Sequence, residues 1–279
     1  MTYHDLWRQL TAVYTGGEAQ AVARLVLERR FGISLADALC GREADDGALL
    51  PLIDRLLRDE PVQYVLGEAE FGDRWFLVAP GVLIPRPETY ELCQLVLRQC
   101  EAMDMERGVS ILDIGTGSGC IACTLAACLP QARVTAWDVS AEALAIARRN
   151  AGRTRVDVAF QQVDILDRSI FNFQCPMFNV IVSNPPYICE HERRQMERRV
   201  IDHEPAVALF VPDDDPLLFY RAIGRYALQA LMPGGRLLFE INASQGPGTV
   251  ALLSGMGFDG VQLFADQFGN DRFILAFKP

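Results

Sequence analysis

The sequence predicts an α/β protein in which a mainly parallel sheet is covered by helices on both faces and is preceded by a small helical bundle. After Gly108, apolar strand-like segments alternate with amphipathic helical segments, as is typical of such sheets. The region up to residue 67 has only helical patterns. The last two strand-like segments lie close together in sequence, which favours a terminal antiparallel pair.

Composition narrows the class of protein before any motif is considered. The 279 residues are 50% hydrophobic and 22% charged, which is ordinary for a globular protein. A formal charge of −10 argues against a general nucleic-acid binder, because phosphate contacts need clustered Lys and Arg. The N-terminus lacks a signal-peptide pattern, and the longest apolar run, GCIACTLAACLP, is too short to span a bilayer. We expect a cytoplasmic monomer with no membrane or nucleic-acid partner.

The eight cysteines do not predict a metal site. Cys120 and Cys123 form a Cys-x-x-Cys pair with Cys128 nearby, but no second pair follows at zinc-ligand spacing, and the three histidines are scattered. The same spacing places these cysteines on one face of a helix, where cysteine behaves as a small hydrophobe. We therefore expect no bound metal.

Four amphipathic segments predict a helical domain over residues 1–67. The first places apolar side chains on one stripe, at Leu6, Leu10, Val13 and Tyr14. The second ends at Gly32, a predicted C-cap, and the third opens at Ser34, a predicted N-cap. We expect Pro61 to stop the fourth helix, which begins near residue 46.

Residues 68–90 differ in composition from the helical segments and predict a β-hairpin linker between two domains. This region is rich in aromatic, β-branched, Gly and Pro residues. The second domain is predicted over residues 91–279. Its strands are predicted in the segments SILDIG, RVTAWD, VDVAFQQVD, FNVIVSNPP, GRLLFEI, GVQLFAD and DRFILAFKP.

A glycine-rich turn follows the first strand of this second domain. In DIGTGSGC, Gly115, Gly117 and Gly119 alternate, so the backbone can turn tightly and approach a ligand at the start of a helix. The spacing is G-x-G-x-G, because Cys120 follows Gly119, and it differs from the dinucleotide pattern G-x-G-x-x-G. A dinucleotide oxidoreductase is therefore disfavoured.

Three acids near the ends of strands indicate what kind of ligand the glycine-rich turn binds. Asp138 ends the second strand, where an acid is well placed for ribose hydroxyls, and Asp164 ends the third, near a predicted adenine position. Asp113 precedes the glycines and is a candidate partner for a cationic amino acid group. Together they fit a nucleoside without a pyrophosphate, for which S-adenosyl-L-methionine is the natural candidate.

The fourth strand ends at Asn184-Pro185-Pro186-Tyr187, next to the same ligand edge. The Asn184 side chain and the Pro185 carbonyl each offer an acceptor, and two converging acceptors would hold a planar NH₂ group by both hydrogens. Tyr187 is predicted to stack on the flat group. These residues are the predicted catalytic set, and fixing the nitrogen beside a sulfonium methyl would provide near-attack positioning.

Asn-Pro-Pro-Tyr, DIGTGSG and LIPRPET, in this order, resemble the protein-(glutamine-N5) methyltransferases of translation release factors. The similarity covers essentially the whole chain, including PVQYVLGEAEF and the late GNDR. One departure is Tyr90, which stands where that family usually has an acidic residue.

The resemblance implies a Rossmann-like class I methyltransferase domain and a helical domain that together grip a class-1 peptide chain release factor. The methyl group would pass from S-adenosyl-L-methionine to the glutamine of a Gly-Gly-Gln loop, leaving S-adenosyl-L-homocysteine. The implied cofactor-binding residues are Asp113, Gly115, Thr116, Gly117, Ser118, Gly119, Asp138, Asp164, Ile165 and Asn184. The implied substrate-binding residues are Arg86, Glu88, Asn184, Pro185, Pro186 and Tyr187. His203-Glu204-Pro205 resembles the family's short Glu-Pro segment.

Two alternatives stay open at this point. A DNA adenine-N6 methyltransferase also uses an Asn-Pro-Pro-Tyr loop, but it must extrude a base and bind phosphates, and the basic segment HERRQMERR is short and interleaved with acids. A non-catalytic module that only binds S-adenosyl-L-methionine is the other alternative. It has no need of two amide acceptors beside the methyl group.

Overall fold

The computed structural model describes residues 1–101, 103, 108–172 and 176–279. Their contacts divide the chain into two compact units. The helical unit comprises Met1–Ala69, Val78–Pro80 and Met196–His203. The sheet unit comprises Glu70–Leu77, Gly81–Gln195 and Glu204–Pro279.

The helices and strands are numbered here in chain order. The helices are α1 (Tyr3–Leu10), α2 (Gly16–Phe31), α3 (Leu35–Leu39), α4 (Asp46–Leu56), α5 (Val62–Leu66), α6 (Pro87–Glu101), α7 (Cys120–Cys128), α8 (Ala141–Thr154), α9 (Arg198–His203), α10 (Leu218–Ala230) and α11 (Gly246–Met256). The strands are β1 (Glu68–Phe71), β2 (Arg74–Leu77), β3 (Ser110–Ile114), β4 (Arg133–Asp138), β5 (Ala159–Gln162), β6 (Phe178–Ser183), β7 (Ile188–Cys189), β8 (Phe210–Val211), β9 (Leu231–Glu240), β10 (Asp259–Ala265) and β11 (Asp271–Phe277). In the described part of the chain, every helix is too short or too polar to cross a bilayer.

The helical unit is built from α1 to α5 around an apolar core. The predicted cap at Ser34 is confirmed, since its hydroxyl accepts from the Asp37 amide, and Gly32 closes α2 in the left-handed region. The prediction for Pro61 is wrong: α4 already ends at Leu56, and Pro61 instead precedes α5. The core contains Leu6, Leu10, Val26, Leu49, Ile53 and Leu56.

Helix α9 is distant in sequence but belongs to the helical unit. The Arg199 guanidinium lies 4.8 Å from the centre of the Tyr14 ring, and its Nε is 3.5 Å from the Asp59 carboxylate. A cation over an aromatic face is attracted by the ring quadrupole. These contacts hold α9 within the helical unit.

The sheet unit confirms the predicted mainly parallel sheet with a terminal antiparallel strand. The seven strands are ordered β10-β11-β9-β6-β3-β4-β5. Strands β3, β4, β5, β6 and β9 are parallel, and β11 runs antiparallel to both β9 and β10.

Side-chain alternation explains why helices cover both faces of this sheet. On β3, Ile111 joins one apolar cluster and Leu112 joins the other, because successive side chains point to opposite faces. On β6, Val180 and Ile181 divide in the same way. The first cluster includes residues of α6 and α7, and the second includes residues of α10 and α11. Strands buried on both faces are mostly apolar, as the sequence indicated.

The predicted hairpin is formed by β1 and β2, which make a two-stranded sheet. The predicted linker is not all extended, since α6 already begins at Pro87. The Tyr90 ring packs against Phe71 with 5.4 Å between ring centres. A Cβ on Gly72 would come within 2.2 Å of that ring, and Gly72 has a φ of +62°. Tyr90 therefore requires glycine at the hairpin turn.

Candidate functional site

The ends of β3, β4 and β6 lie side by side, and they form one wall of a pocket. Ile114 is paired with Trp137 on β4 and with Ser183 on β6, so the residues that follow, Gly115, Asp138 and Asn184, meet at one edge. The pocket encloses about 810 Å³, part of it open to solvent.

Several of the residues predicted from the sequence line this pocket: Gly115, Gly117, Asp138, Asp164, Ile165, Asn184, Pro185 and Pro186. The other predicted residues do not line it: Arg86, Glu88, Asp113, Thr116, Ser118, Gly119 and Tyr187. Further lining residues were missed by the sequence reasoning, including Val82, Leu83, Val207, Phe219 and Ile223. Leu83 opens the LIPRPET motif, but only Arg86 and Glu88 of that motif were predicted at the site. The other four have no motif that distinguishes them from ordinary core residues.

The glycine turn is held in place by α8. Gly119 has a φ of +79°, and a Cβ there would lie 2.9 Å from the Ala147 Cβ, so only glycine fits. The Asn150 side chain donates to the Ser118 carbonyl at 2.8 Å and exchanges hydrogen bonds with the backbone of Leu77. This buried amide connects the hairpin with the glycine turn, and its role was not predicted.

Asp113 is completely buried, in contrast to a solvated strand end. Its Oδ2 accepts from the Thr116 hydroxyl at 2.6 Å, and its Oδ1 has no hydrogen-bond partner among the described residues. Burial raises the pKa of Asp113 to about 7; the Thr116 hydroxyl and the Ala122 amide oppose this, and the Asp138 charge adds to it. A positive charge beside Oδ1 would favour the ionised form.

The Asp138 carboxylate connects two turns at the pocket. Its Oδ2 accepts from the Gly117 amide at 2.8 Å, and its Oδ1 accepts from the Ser140 amide at 2.9 Å. Burial raises the pKa of Asp138, while these backbone donors favour its charged form. Each carboxylate oxygen has a second lone pair, so Asp138 can still accept from a ligand.

The third strand end is more open than the first two. Asp164 is exposed and accepts from the Leu166 amide at 2.8 Å, whereas Ile165 is buried. Both line the pocket two and three residues beyond the end of β5. They provide one exposed acceptor beside an apolar wall.

Asn184 is connected to a buried glutamate that the sequence reasoning missed. Its Nδ2 donates to the Thr89 hydroxyl at 3.1 Å, and that hydroxyl donates to Glu240 Oε2 at 2.7 Å. The Tyr187 hydroxyl donates to Glu240 Oε1 at 3.2 Å. The Tyr187 ring packs beside the apolar cluster under α10, and its predicted stacking on a substrate stays a prediction.

Glu240 is 1% exposed, so its environment controls its charge. Burial raises the pKa of Glu240 to about 7, the Glu88 charge adds to this, and the Thr89 and Tyr187 hydroxyls and the Arg272 charge oppose it. Burial and the Glu240 charge also raise the pKa of the Tyr187 hydroxyl, which stays protonated. The sequence could have pointed to Glu240, because it is an acid at the end of a strand, β9, as Asp138 is at the end of β4.

Arg86 is paired with Glu204, the acid of the Glu-Pro segment. Arg86 Nη2 donates to Glu204 Oε1 at 2.5 Å, and the Ile84 amide donates to Glu204 Oε2 at 3.0 Å. The Glu204 side chain is only 1% exposed. Residues on both sides of this contact line the pocket, namely Val82 and Val207, so Glu204 joins two of its walls.

Replacement of Glu204 by alanine is expected to lower the free energy of unfolding by about 1–3 kcal/mol, because a buried N–H and a charged guanidinium lose their acceptor. Chemical denaturation measures this loss. Glu190→Ala is the matched control, since its ion pair with Arg193 is 3.9 Å long and exposed, and we expect a change below about 0.5 kcal/mol. Equal stability of the two variants would contradict the proposed joining role.

Two of the three cysteines of α7 are apolar packing residues. Cys120 and Cys123 are buried in the cluster of α6 and α7, and Cys128 is exposed. Within the described ranges, one group of three side chains has metal-ligand types close together, Cys189, His191 and Asp213. Burial and nearby acids raise the pKa of Cys189, and His191 Nδ1 already contacts Asp213, so we assign no metal there.

Comparison with known proteins identifies the relatives of this chain. A family model described as "Methyltransferase small domain" matches residues 94–207. A release factor glutamine methyltransferase of Bacteroides thetaiotaomicron is 43% identical over 274 residues, which cover 96% of each chain. A protein with the same name from Flavobacterium psychrophilum is 44% identical over 270 residues, covering 95% of this chain and 94% of that protein.

The solved structures are similar in fold. A methyltransferase from Pyrococcus furiosus aligns with a TM-score of 0.52 at 20% identity, covering 73% of this chain and 88% of that one. This likeness concerns the fold alone, and it agrees with the predicted Rossmann-like fold. The family model over residues 94–207 and the curated relatives confirm that the domain is a methyltransferase domain. With the curated relatives matched over almost their full length, the chain belongs to the release factor glutamine methyltransferase family.

Proposed function

We propose that this enzyme transfers a methyl group from S-adenosyl-L-methionine to the side-chain amide nitrogen of the glutamine in the Gly-Gly-Gln motif of class-1 release factors. The observation that carries the proposal is the Asn184 side chain at the pocket. Its Nδ2 is bound to Thr89, so Oδ1 is the atom available to accept a hydrogen bond. The curated relatives are named release factor glutamine methyltransferases, which supports this assignment.

The residues around the pocket fit S-adenosyl-L-methionine as the methyl donor. Asp113 does not line the pocket, but its Oδ1 is a buried acceptor without a partner in the described part of the chain, and we propose that it accepts from the cationic amino group. Asp138 lines the pocket with lone pairs to spare for ribose hydroxyls, and Asp164 and Ile165 supply an acceptor and an apolar wall for adenine. When bound, this cofactor supplies an electrophilic sulfonium methyl group.

The chain's own part in the reaction is to orient the acceptor amide. The glutamine nitrogen is a poor nucleophile because its lone pair is delocalised, so geometry matters more than a strong base. Asn184 Oδ1 and the Pro185 carbonyl would each accept a hydrogen bond from this NH₂ group. Both acceptors would stabilise the positive charge that grows on nitrogen. The nitrogen then loses one hydrogen to solvent as a proton.

The sequence alternatives are less well supported. A DNA adenine-N6 activity is not favoured, because the relatives matched over almost their full length are named for release factors. A non-catalytic binding module would have no use for an Asn184 amide held in one orientation beside the pocket.

Mass spectrometry of a co-expressed release factor tests the proposed function. We expect one added methyl group on the Gly-Gly-Gln peptide, located on the glutamine side chain. Purified DNA with the same labelled cofactor serves as the competing substrate. Labelled DNA together with an unmodified release factor would overturn the proposal.

We also propose that the helical unit binds the body of the release factor. A groove of this unit is lined in part by polar residues of α1 and α2 and in part by apolar side chains of α1 and α3, including Tyr3, Trp7, Leu35 and Leu39. Leu39 is 70% exposed, and large exposed apolar side chains of this kind often mark a protein-binding surface.

Leu39→Glu is expected to raise KM for intact release factor by about fivefold or more, because a charge would replace an apolar contact. The turnover at saturating substrate and the affinity for S-adenosyl-L-homocysteine should be unchanged. Leu50→Glu is the control, since Leu50 is 48% exposed on α4 and does not line the groove. If both variants keep the wild-type KM, the groove does not bind the release factor.

A further inference from the structure

Glu240 and Thr89 do not line the pocket, but Thr89 contacts Asn184, which does, and Glu240 contacts Thr89. Thr89 lies in the first turn of α6, and Glu240 is the last residue of β9, 151 positions later. We propose that Glu240, acting through Thr89, is a positioning residue that fixes which atom of the Asn184 amide faces the substrate. This inference rests on the proposed function and extends it to two residues with no assigned role.

The polarity of the hydrogen bonds gives the reason. Above its pKa of about 7, Glu240 is ionised and has only acceptors, so the Thr89 hydroxyl hydrogen is then committed to Glu240 Oε2. The Thr89 oxygen can then only accept, and it accepts from Asn184 Nδ2. The amide is therefore held with Nδ2 towards Thr89, which leaves Oδ1 as the acceptor for an incoming NH₂ group.

The opposite amide orientation would be unproductive. If Asn184 turned over, Oδ1 would face Thr89, whose hydrogen is already used, and Nδ2 would face the donor hydrogens of the substrate. Two donors facing each other cannot form a hydrogen bond. The negatively charged Glu240, connected to Asn184 by two hydrogen bonds through Thr89, thus selects the one orientation of Asn184 that binds a primary amide.

Tyr187 extends the same arrangement to the other end of the motif. Its hydroxyl donates to the remaining carboxylate oxygen, Glu240 Oε1. One buried carboxylate therefore contacts both ends of the Asn-Pro-Pro-Tyr segment, through Thr89 at Asn184 and directly at Tyr187.

The burial of Glu240 supports a role beyond stability. Desolvating a carboxylate is costly, and an apolar side chain of similar size is often as stable or more stable at a buried site. Here the cost is partly offset by two hydroxyl donors and by the Arg272 charge. An acid at this position is therefore better explained by the orientation it imposes on Asn184 than by the stability of the sheet.

Thr89→Val tests the inference, because it keeps the size of the side chain and removes the hydroxyl. At pH 8 and saturating cofactor, we expect single-turnover methyl transfer to release factor to fall about tenfold or more. Affinity for S-adenosyl-L-homocysteine should stay within about twofold, since cofactor contacts are untouched. Thr89→Ser keeps the hydroxyl and should retain most of the rate.

Two further variants separate orientation from folding. Thr124→Val is the matched control, since Thr124 is a buried threonine of α7 whose hydroxyl has no partner in the described ranges, and we expect the wild-type rate. Glu240→Gln presents a donor as well as an acceptor, so it permits the reversed amide and should slow transfer even if Thr89→Val is unstable. Thermal unfolding of each variant is measured in parallel.

A second readout does not depend on activity. In nitrogen-15 NMR spectra, the side-chain amide of Asn184 is assigned by comparison with Asn184→Ala. We expect its protons to be protected from exchange in the wild type and in Thr89→Ser, and to exchange faster in Thr89→Val.

The outcomes separate the two proposals. Unmodified glutamine with wild-type enzyme would refute the proposed function, while the NMR comparison would still decide whether Thr89 holds Asn184. Wild-type transfer by Thr89→Val, or a loss of rate matched by an equal loss of cofactor affinity, would overturn the positioning role. Equal exchange rates of the Asn184 side-chain amide in the wild type and in Thr89→Val would overturn the positioning role as well.

Discussion

Asn184→Ala is expected to lower single-turnover methyl transfer by roughly 10²–10³-fold at saturating cofactor, comparable to removing one preorganised polar group from other active sites. The side chain lies at the pocket, with Nδ2 bound to Thr89 and Oδ1 available. Its loss removes one of two acceptors for the substrate amide, so the nitrogen is no longer fixed for attack. Affinity for S-adenosyl-L-homocysteine should change far less than the rate.

The measurement is rapid-quench transfer to purified release factor, with cofactor affinity measured by calorimetry. Asn179→Ala is the control, because it removes an amide at the opposite end of β6, where Asn179 accepts from the Ser110 backbone. We expect the control to keep the wild-type rate. An Asn184→Ala enzyme that transfers methyl at the wild-type rate would show that Asn184 does not position the acceptor nitrogen.

Asn184→Asp is the more discriminating change at this position. It keeps an acceptor oxygen but removes the donor to Thr89 and adds a negative charge near the bound sulfonium. Some activity is expected to survive, because one of the two substrate contacts can still form. A rate lower than that of Asn184→Ala would contradict this expectation.

The sequence predicted the sheet and the pocket edge for the same reason. Carboxyl ends of neighbouring parallel strands meet, so residues that follow such strands come together whatever their distance along the chain. Asp138 and Asn184 were therefore placed correctly at the strand ends, and both line the pocket. The glycines at the end of β3, which lies between β4 and β6 in the sheet, were predicted from their spacing alone.

The direction of a side chain at a strand end was harder to predict. Asp113 is within β3, a central strand buried on both faces, and its side chain is completely buried. Alternation along a strand tells which residues share a face, but it does not tell which face meets the ligand when both faces are apolar. The sequence therefore could not show that Asp113 is enclosed while Asp138 lines the pocket.

The long-range partners were beyond the reach of local patterns. Arg86 and Glu204 are 118 residues apart, and Thr89 and Glu240 are 151 apart. LIPRPET was noticed as a motif, yet nothing in it names the acid that Arg86 or Thr89 contacts. Such pairs become visible only once the topology has brought α6, the Glu-Pro segment and β9 together.

Asp138→Ala is expected to weaken binding of S-adenosyl-L-homocysteine by roughly ten- to more than hundredfold, since hydrogen bonds to a charged group contribute about 1.5–3 kcal/mol. The carboxylate lines the pocket and also accepts from the Gly117 and Ser140 amides, so its loss acts on the ligand and on the glycine turn. Calorimetry with a 2′-deoxyribose analogue separates the two effects in a double-mutant cycle. If Asp138 binds the ribose, the analogue binds more weakly than the natural ligand to wild type but equally well to Asp138→Ala.

Asp157→Ala is the control, because it removes the same charge from an exposed site before β5 and should leave affinity unchanged. Wild-type affinity in Asp138→Ala would rule out this acid as a cofactor ligand, and an unchanged penalty for the analogue would limit its role to shaping the turn.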